Sequence, residues 1–389
     1  MTPARSAFFL LLIIYLGFIS LGLPDGTLGV AWPPIHTELH LPIGLAGTVL
    51  IVATLLAASA AFLSGKIIAR LGTGPVVLVS CVLTGSGLMT IAHAQSMAWL
   101  LGAAIPLGFG AGAVDAGLNG YVARHYTGRH MNWLHACWGI GATAGPIVMA
   151  RALGLDAGWR GGYIFLGSVQ LSLAVLFLLT LRLWQIVPER SATHGDAVTS
   201  GRPPSATANS VAGWLSAAIF ALYVAVETTT GLWANSILVV SRGIDPKSAA
   251  LCAAAYYGSI TAGRISVGFV VERWGNRRLV TGGAILALTG ATLFAFASST
   301  PAAALALVLL GLGFAPIYPG LMHEVPRRFV PAAVQTVIGR QSGAAMLGSA
   351  ILPAAAGSLA AFSLESIAWT VIAGATGLLL SIRRLDRIT

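Results

Sequence analysis

The chain has 389 residues, of which 56% are hydrophobic and only 9% charged, and its formal net charge is +10. A soluble globular domain carries about 25% charged residues, so composition excludes that class; the apolar runs are long enough to span a bilayer as helices rather than barrel strands. The positive residues sit in short loops and form no basic patch with interleaved aromatics, which excludes a nucleic-acid binder.

Taken in order, the chain opens with Arg5 and an apolar run that continues into Asp25. It lacks a small-residue cleavage site and reads as a first spanning helix, not a signal peptide. Twelve spans are expected, at about 7–34, 43–69, 74–94, 97–124, 131–153 and 161–186, then 212–240, 247–272, 278–298, 301–328, 332–360 and 364–383. Between the two sixes lies 188–211, the one long polar stretch, rich in Ser, Thr, Gly and Pro, which reads as a flexible linker. The expected domains are therefore 1–187, a six-helix bundle, the linker 188–211, and 212–389, a second six-helix bundle.

Loop charges orient these spans. One set of loops holds Lys66, Arg70, Arg124, Arg129, Arg182, Arg190, Arg202, Arg273, Arg277, Arg278, Arg327 and Arg328, and the ends add Arg5, Arg383, Arg384 and Arg387. The opposite loops hold only Arg151, Arg160, Arg242 and Lys247. Basic residues mark the cytoplasmic side, so a bacterial-type inner membrane with both termini and the linker in the cytoplasm is expected. The halves also repeat: a shift of 203 lays Gly65 on Gly268, Arg70 on Arg273, Gly72 on Gly275, Gly108 on Gly311 and Arg124 on Arg327. A shift of 202 lays Asp25 on Glu227. Two repeated sixes form a transporter architecture, with its site expected near the midplane between the halves.

The polar groups inside the spans are the candidate chemistry, because ionisable residues at membrane depth are expensive and point to function. In 108–119, GFGAGAVDAGLN, positions 108, 112, 115 and 119 share one helical stripe. Gly108 and Gly112 permit close helix approach, while Asp115 and Asn119 offer an acid and an amide; the alternative is a carboxylate that ties two helices together. Burial disfavours the charged form of an acid, and a protonated acid can donate to a hydroxyl, so Asp115 and Asp25 are the expected proton-coupling groups. Asp25 lies in Leu23-Pro24-Asp25-Gly26, where Pro and Gly break the helix. Expected solute-binding residues are Asn119, His135, Glu227, Trp233, Asn235, Tyr256, Tyr318 and Gln341. Bland alternatives stand beside several of these: His135 packed near a loop, and Trp233 as an interfacial anchor. The 203 shift places Tyr318 on Asp115, and Pro316 and Pro319 should bend the helix there. Arg264 is assigned to a cytoplasmic gate, paired with Glu272 or with helix C-terminal carbonyls. Arg340 is read as a second basic group that an anionic solute could meet.

The stretch Gly268-Phe-Val-Val-Glu272-Arg273-Trp-Gly275-Asn-Arg277-Arg278 resembles the loop motif G-x-x-x-D-R-x-G-R-R of the major facilitator superfamily. The first-half copy, from Gly65 to Gly72, has Ala69 where the acid usually sits. The resemblance implies an all-α integral membrane fold of twelve helices in two pseudo-symmetric bundles, and a cytoplasmic gate at Arg70, Glu272 and Arg273. Within the superfamily, Asp25, Asp115 with Asn119, and His135 with Gly139 and Gly145-Pro146 make the chain similar to the fucose-permease group of sugar–proton symporters. That resemblance implies proton coupling at the two acids and a monosaccharide solute.

The expected function is secondary active uptake of a small polar solute with a proton. A proton-coupled exporter of amphiphiles and a sodium-coupled sugar symporter are the alternatives. Absence of G-x-S-x-G, H-E-x-x-H and nucleotide-binding glycine loops argues against an enzyme. Cys81, Cys137 and Cys252 show no ligand spacing, so no metal is expected, nor an organic cofactor, nor a nucleic-acid partner; the chain is expected to be a monomer in the bilayer.

Overall fold

The structure, a computed structural model, describes residues 3–25, 27–42, 45–186, 206–360 and 363–389. Most of the expected linker, including Arg190 and Arg202, lies outside the described residues, as does Gly26.

Every expected span coincides with helix. The first is broken into α1 (Pro3–Gly22) and α2 (Thr27–Glu38) by the Leu23–Asp25 turn, where the Pro24 carbonyl accepts from the Thr27 hydroxyl at 2.7 Å. Then come α3 (Ala46–Leu71), α4 (Thr73–Ala92), α5 (Met97–His125), α6 (Gly128–Leu153), α7 (Gly158–Thr180) and the short α8 (Leu183–Ile186). The second half runs α9 (Val211–Ser236), which passes into a π-helical turn at Ile237–Ser241, then α10 (Pro246–Trp274) and α11 (Asn276–Phe296). The tenth span is split into α12 (Thr300–Phe314), α13 (Ile317–His323) and α14 (Val325–Arg328). Its break falls at Ala315 and Pro316, where the expected proline bend lies. The chain closes with α15 (Pro331–Ala360) and α16 (Glu365–Ile388). Among the described residues nine helical stretches are long and apolar enough to cross a membrane. The other three expected spans, α6, α10 and α15, have 26, 29 and 30 residues. They carry more polar side chains, among them Asn132, His135, Arg264, Arg340 and Gln341.

The chain forms two compact units. The first takes Met1–His125, Leu134–Thr199 and Ile338–Gly343, and the second Tyr126–Trp133, Ser200–Val337 and Ala344–Thr389. The expected halves therefore exchange two short segments. Tyr126–Trp133 goes with the second unit because Thr127 and Arg129 bond Glu272, and the Trp133 indole donates to the Ile265 carbonyl. Ile338–Gly343 goes with the first because Gly339 and Gly343 press against Ala61, Ser64 and Phe62 of α3.

In the first unit α5 packs on α3 and α4, and α4 packs on α7; in the second α12 packs on α10 and α11, and α11 on α16. Apolar burial drives little helix association in lipid, so close approach of small residues has to do it. A Cβ on Gly112 would strike the Ala57 backbone, and one on Gly108 the Ala53 carbonyl at 2.5 Å. The glycine half of the stripe in 108–119 is thus the α3 contact. Gly141 and Gly145 likewise seat α6 on the Ile19 and Leu23 carbonyls of the first span. The repeat is visible at the turns: Gly72 and Gly275 have φ of 80° and 79°, which only glycine adopts freely. The amide of each closes its preceding helix, onto Ile68 and Val271.

Each unit is clasped at the end away from the basic loops, with the charges exchanged between the two. In the first, Glu38 from α2 accepts from Trp159 at 2.7 Å and pairs with Arg160 of α7 at 2.8 Å; Arg160 also donates to the Ala92 and Ala94 carbonyls at the end of α4. In the second, Arg242 after the π turn holds Glu365 of α16 at 2.7 Å and donates to the Phe294 and Ala297 carbonyls at the end of α11. The 203 shift lays Ala94 on Ala297, so the two arginines reach equivalent carbonyls from opposite partners.

Candidate functional site

Three elements of the first unit bring the expected acid, amide and imidazole together. Two turns along α5 from Gly112, which seats it on α3, Asn119 is fully buried, and its Nδ2 donates to Asp115 Oδ1 and to the Asp115 carbonyl, both at 3.0 Å. Its Oδ1 lies 3.1 Å from His135 Nε2. Because the amide nitrogen faces the carboxylate, Oδ1 must accept, which assigns the proton of neutral His135 to Nε2. The result is a hydrogen-bonded series, His135 to Asn119 to Asp115. Phe18 of α1 meets the His135 ring edge-on at 5.5 Å and fixes its plane.

Asp25 reaches the same face of α6. Its carboxylate accepts from Trp138 Nε1 at 2.9 Å, and Trp138 lies three residues beyond His135. Asp25 is exposed. Ser342, buried in the Ile338–Gly343 segment of this unit, sits beside Asp115 without an aligned hydrogen bond, and the neighbouring Gln341 is buried as well. Trp138 and Ser342 were not among the expected site residues. Trp138 had a signal, since it shares the His135 face; Ser342 had none beyond adjacency to Gln341.

The second unit holds its own polar cluster. Glu227 of α9 lies 3.8 Å from Arg264 of α10, and Arg264 donates to the Tyr223 hydroxyl at 3.5 Å. The Tyr256 hydroxyl donates to the Glu227 carbonyl at 2.9 Å, and the Tyr318 ring meets Tyr223 at 5.9 Å. Tyr223, one turn before Glu227, was missed in the sequence because a tyrosine in an apolar span gives no separate signal.

One expectation needs correction. Arg264 does not pair with Glu272: it is buried ten residues before the end of α10 and turns toward α9, whereas Glu272 bonds Thr127 at 2.7 Å and Arg129 at 3.1 Å. Asn235 is exposed. The Trp233 indole donates to the Pro353 carbonyl at 3.2 Å. Arg70 and Arg273 are exposed at the loop ends of their helices. No group of three or more His, Cys, Asp or Glu suited to a metal occurs among the described residues.

Comparison with known proteins completes the site's setting. A family model for the Major Facilitator Superfamily matches residues 14–239 and 215–386. An uncharacterised transporter of the same type from Yersinia pestis is 22% identical over 356 residues, with 88% of each chain covered. Among solved structures, the Escherichia coli fucose:proton symporter is 14% identical with a TM-score of 0.76, covering 98% of this chain and 99% of that one. A proton:xylose symporter is 15% identical with a TM-score of 0.75, covering 98% and 96%. The human organic anion transporter MFSD10 is 17% identical with a TM-score of 0.73, covering 99% and 100%. At these identities the solved structures establish the fold alone.

Proposed function

The chain belongs to the Major Facilitator Superfamily and is a multi-pass secondary transporter, not an enzyme, and from that premise we propose that it imports a small hydroxylated solute, a monosaccharide, together with a proton. The observation that carries the reading is the hydrogen-bonded series of buried His135, buried Asn119 and half-buried Asp115 in the first unit. A carboxylate only accepts, so in the charged state Asp115 holds the Asn119 amide. On protonation one Asp115 oxygen becomes a donor. That oxygen can then donate to a solute hydroxyl, which a sugar supplies and an apolar amphiphile does not. Proton and solute thus favour each other's binding through one side chain, which is coupling in the thermodynamic sense. Asp25, held by Trp138, is the second acid through which the proton passes. The basic-loop bias supports insertion in the inner membrane with both termini cytoplasmic, and the chain acts as a monomer.

The test is uptake of radiolabelled monosaccharides into proteoliposomes under an inward proton gradient, an inward sodium gradient, or neither. Uphill uptake driven by the proton gradient alone is the expected result. Asp115→Asn should retain counterflow exchange and lose uphill uptake. Equal uphill uptake by that variant would remove Asp115 from coupling, and efflux of amphiphiles without sugar uptake would reverse the assignment of solute.

A further inference from the structure

The proton-coupling series does not use the most costly charge in the second unit. Arg264 sits in the span of α10 with its side chain 7% exposed, and a guanidinium at that depth calls for full compensation. It does not receive it. Among the described residues its polar partners are Glu227 at 3.8 Å and the Tyr223 hydroxyl at 3.5 Å, and its Nε has no partner at all. Other arginines of the same molecule show the contrast. Arg242 places Nε and Nη2 on the two oxygens of Glu365 at 2.9 and 2.7 Å. Arg328 and Arg129 also leave Nε unbonded, but each holds a carboxylate through Nη2, at 2.6 and 3.1 Å. A buried ion pair stabilises only when its geometry is good and its remaining donors are satisfied. The loose Glu227 contact does not meet that condition, so holding α9 to α10 does not account for Arg264.

We propose that Arg264 is the specificity group for a carboxylate on the transported solute, so that the solute is an acidic monosaccharide such as a hexuronate or aldonate rather than a neutral sugar. A guanidinium takes a carboxylate by two parallel N–H···O bonds, one of them from Nε, and the unbonded Nε leaves that face available. Around it, Tyr223 and Tyr256 are buried with their hydroxyls on the Phe314 and Glu227 carbonyls, and the half-buried Tyr318 adds a ring face suited to a polyol. Glu227 competes with the solute for the same guanidinium. The inference rests on the reading that this chain carries a hydroxylated solute, but it does not depend on proton coupling.

The experiment is equilibrium binding to the purified full-length protein, by calorimetry, of galacturonate, galactonate, galactose, lactate and glycerate. Wild type should prefer galacturonate to galactose by about tenfold or more, the equivalent of 1.4 kcal/mol. Glu227→Gln removes the competitor and should tighten galacturonate further. The double variant Glu227→Gln/Arg264→Gln leaves no lone buried charge and so remains foldable; it should lose the preference for the acid. Galactose binding as tightly as galacturonate in wild type, or weaker galacturonate binding in Glu227→Gln, would overturn the proposal. Binding of lactate or glycerate with no sugar bound would uphold the carboxylate site and overturn the monosaccharide reading. If no carboxylate binds, the inference falls.

Discussion

At the residue scale, Asn119 is the position on which the first unit's site turns, because its side chain bonds both Asp115 and His135. Asn119→Ala should weaken solute binding by about tenfold or more, since a hydrogen bond to a charged group is worth about 1.5–3 kcal/mol. Unchanged affinity in a binding titration would reduce Asn119 to a helix tie. Asp115, Asn119 and His135 were legible in the sequence because each is a polar group in an apolar run and the first two share a stripe. Their joint arrangement was not, since it depends on α6 seating against the first span through Gly141 and Gly145. Arg264 shows the opposite case. Its cost was legible and its partner was not, because the choice between Glu227 and Glu272 is made by the rotation of α10, which no local pattern encodes.

At the scale of elements, the glycines separate those that carry contacts from those that do not. Gly112→Val should lower the melting temperature by several degrees or prevent folding, because its Cβ meets the Ala57 backbone and neither helix can yield. Gly102→Ala in the same helix meets nothing within 4 Å and should leave the melting temperature unchanged or slightly raised. Equal effects in a thermal melt would contradict the packing. The clasp at Glu38 gives a pH signature. The hydrogen bonds from Arg160 and then Trp159 hold its carboxyl below the usual range near 4.5. A lowered folded value means that the stabilisation is complete above that range and is lost as pH falls through the folded value. Because the Glu38 side chain is 48% exposed, the contribution is below about 1 kcal/mol. Glu38→Gln should therefore flatten the acid limb of the stability curve below pH 4.5 and change little near neutrality.

At the scale of the whole molecule, twelve spans, two repeats and the turns at Gly72 and Gly275 could all be read from the sequence, because hydropathy and glycine spacing are local signals. The clasps escaped because the repeat exchanges their charges. Glu38 and Arg242 occupy matching places after the first spans of the two halves, and Arg160 and Glu365 occupy matching places at the start of the last. A search for conserved charge across the repeat finds nothing there. The arrangement predicts a rescue: Glu38→Arg with Arg160→Glu installs in the first unit the polarity that the second already uses. That double variant should melt higher than either single variant, and a lower melting temperature would show that the two clasps are not interchangeable.

The exchange of charge also bears on how such a chain assembles. Two repeats with similar helices, inserted one after another, risk pairing the opening helix of one half with the closing helix of the other. Here that error sets Glu38 against Glu365, or Arg242 against Arg160. Like charges then meet at partly exposed positions, beside carbonyls that an arginine serves in the correct pairing. The correct partner is then chosen as much by repulsion from the wrong one as by attraction to the right one. A repeated architecture thereby keeps its two copies from being mistaken for each other during synthesis.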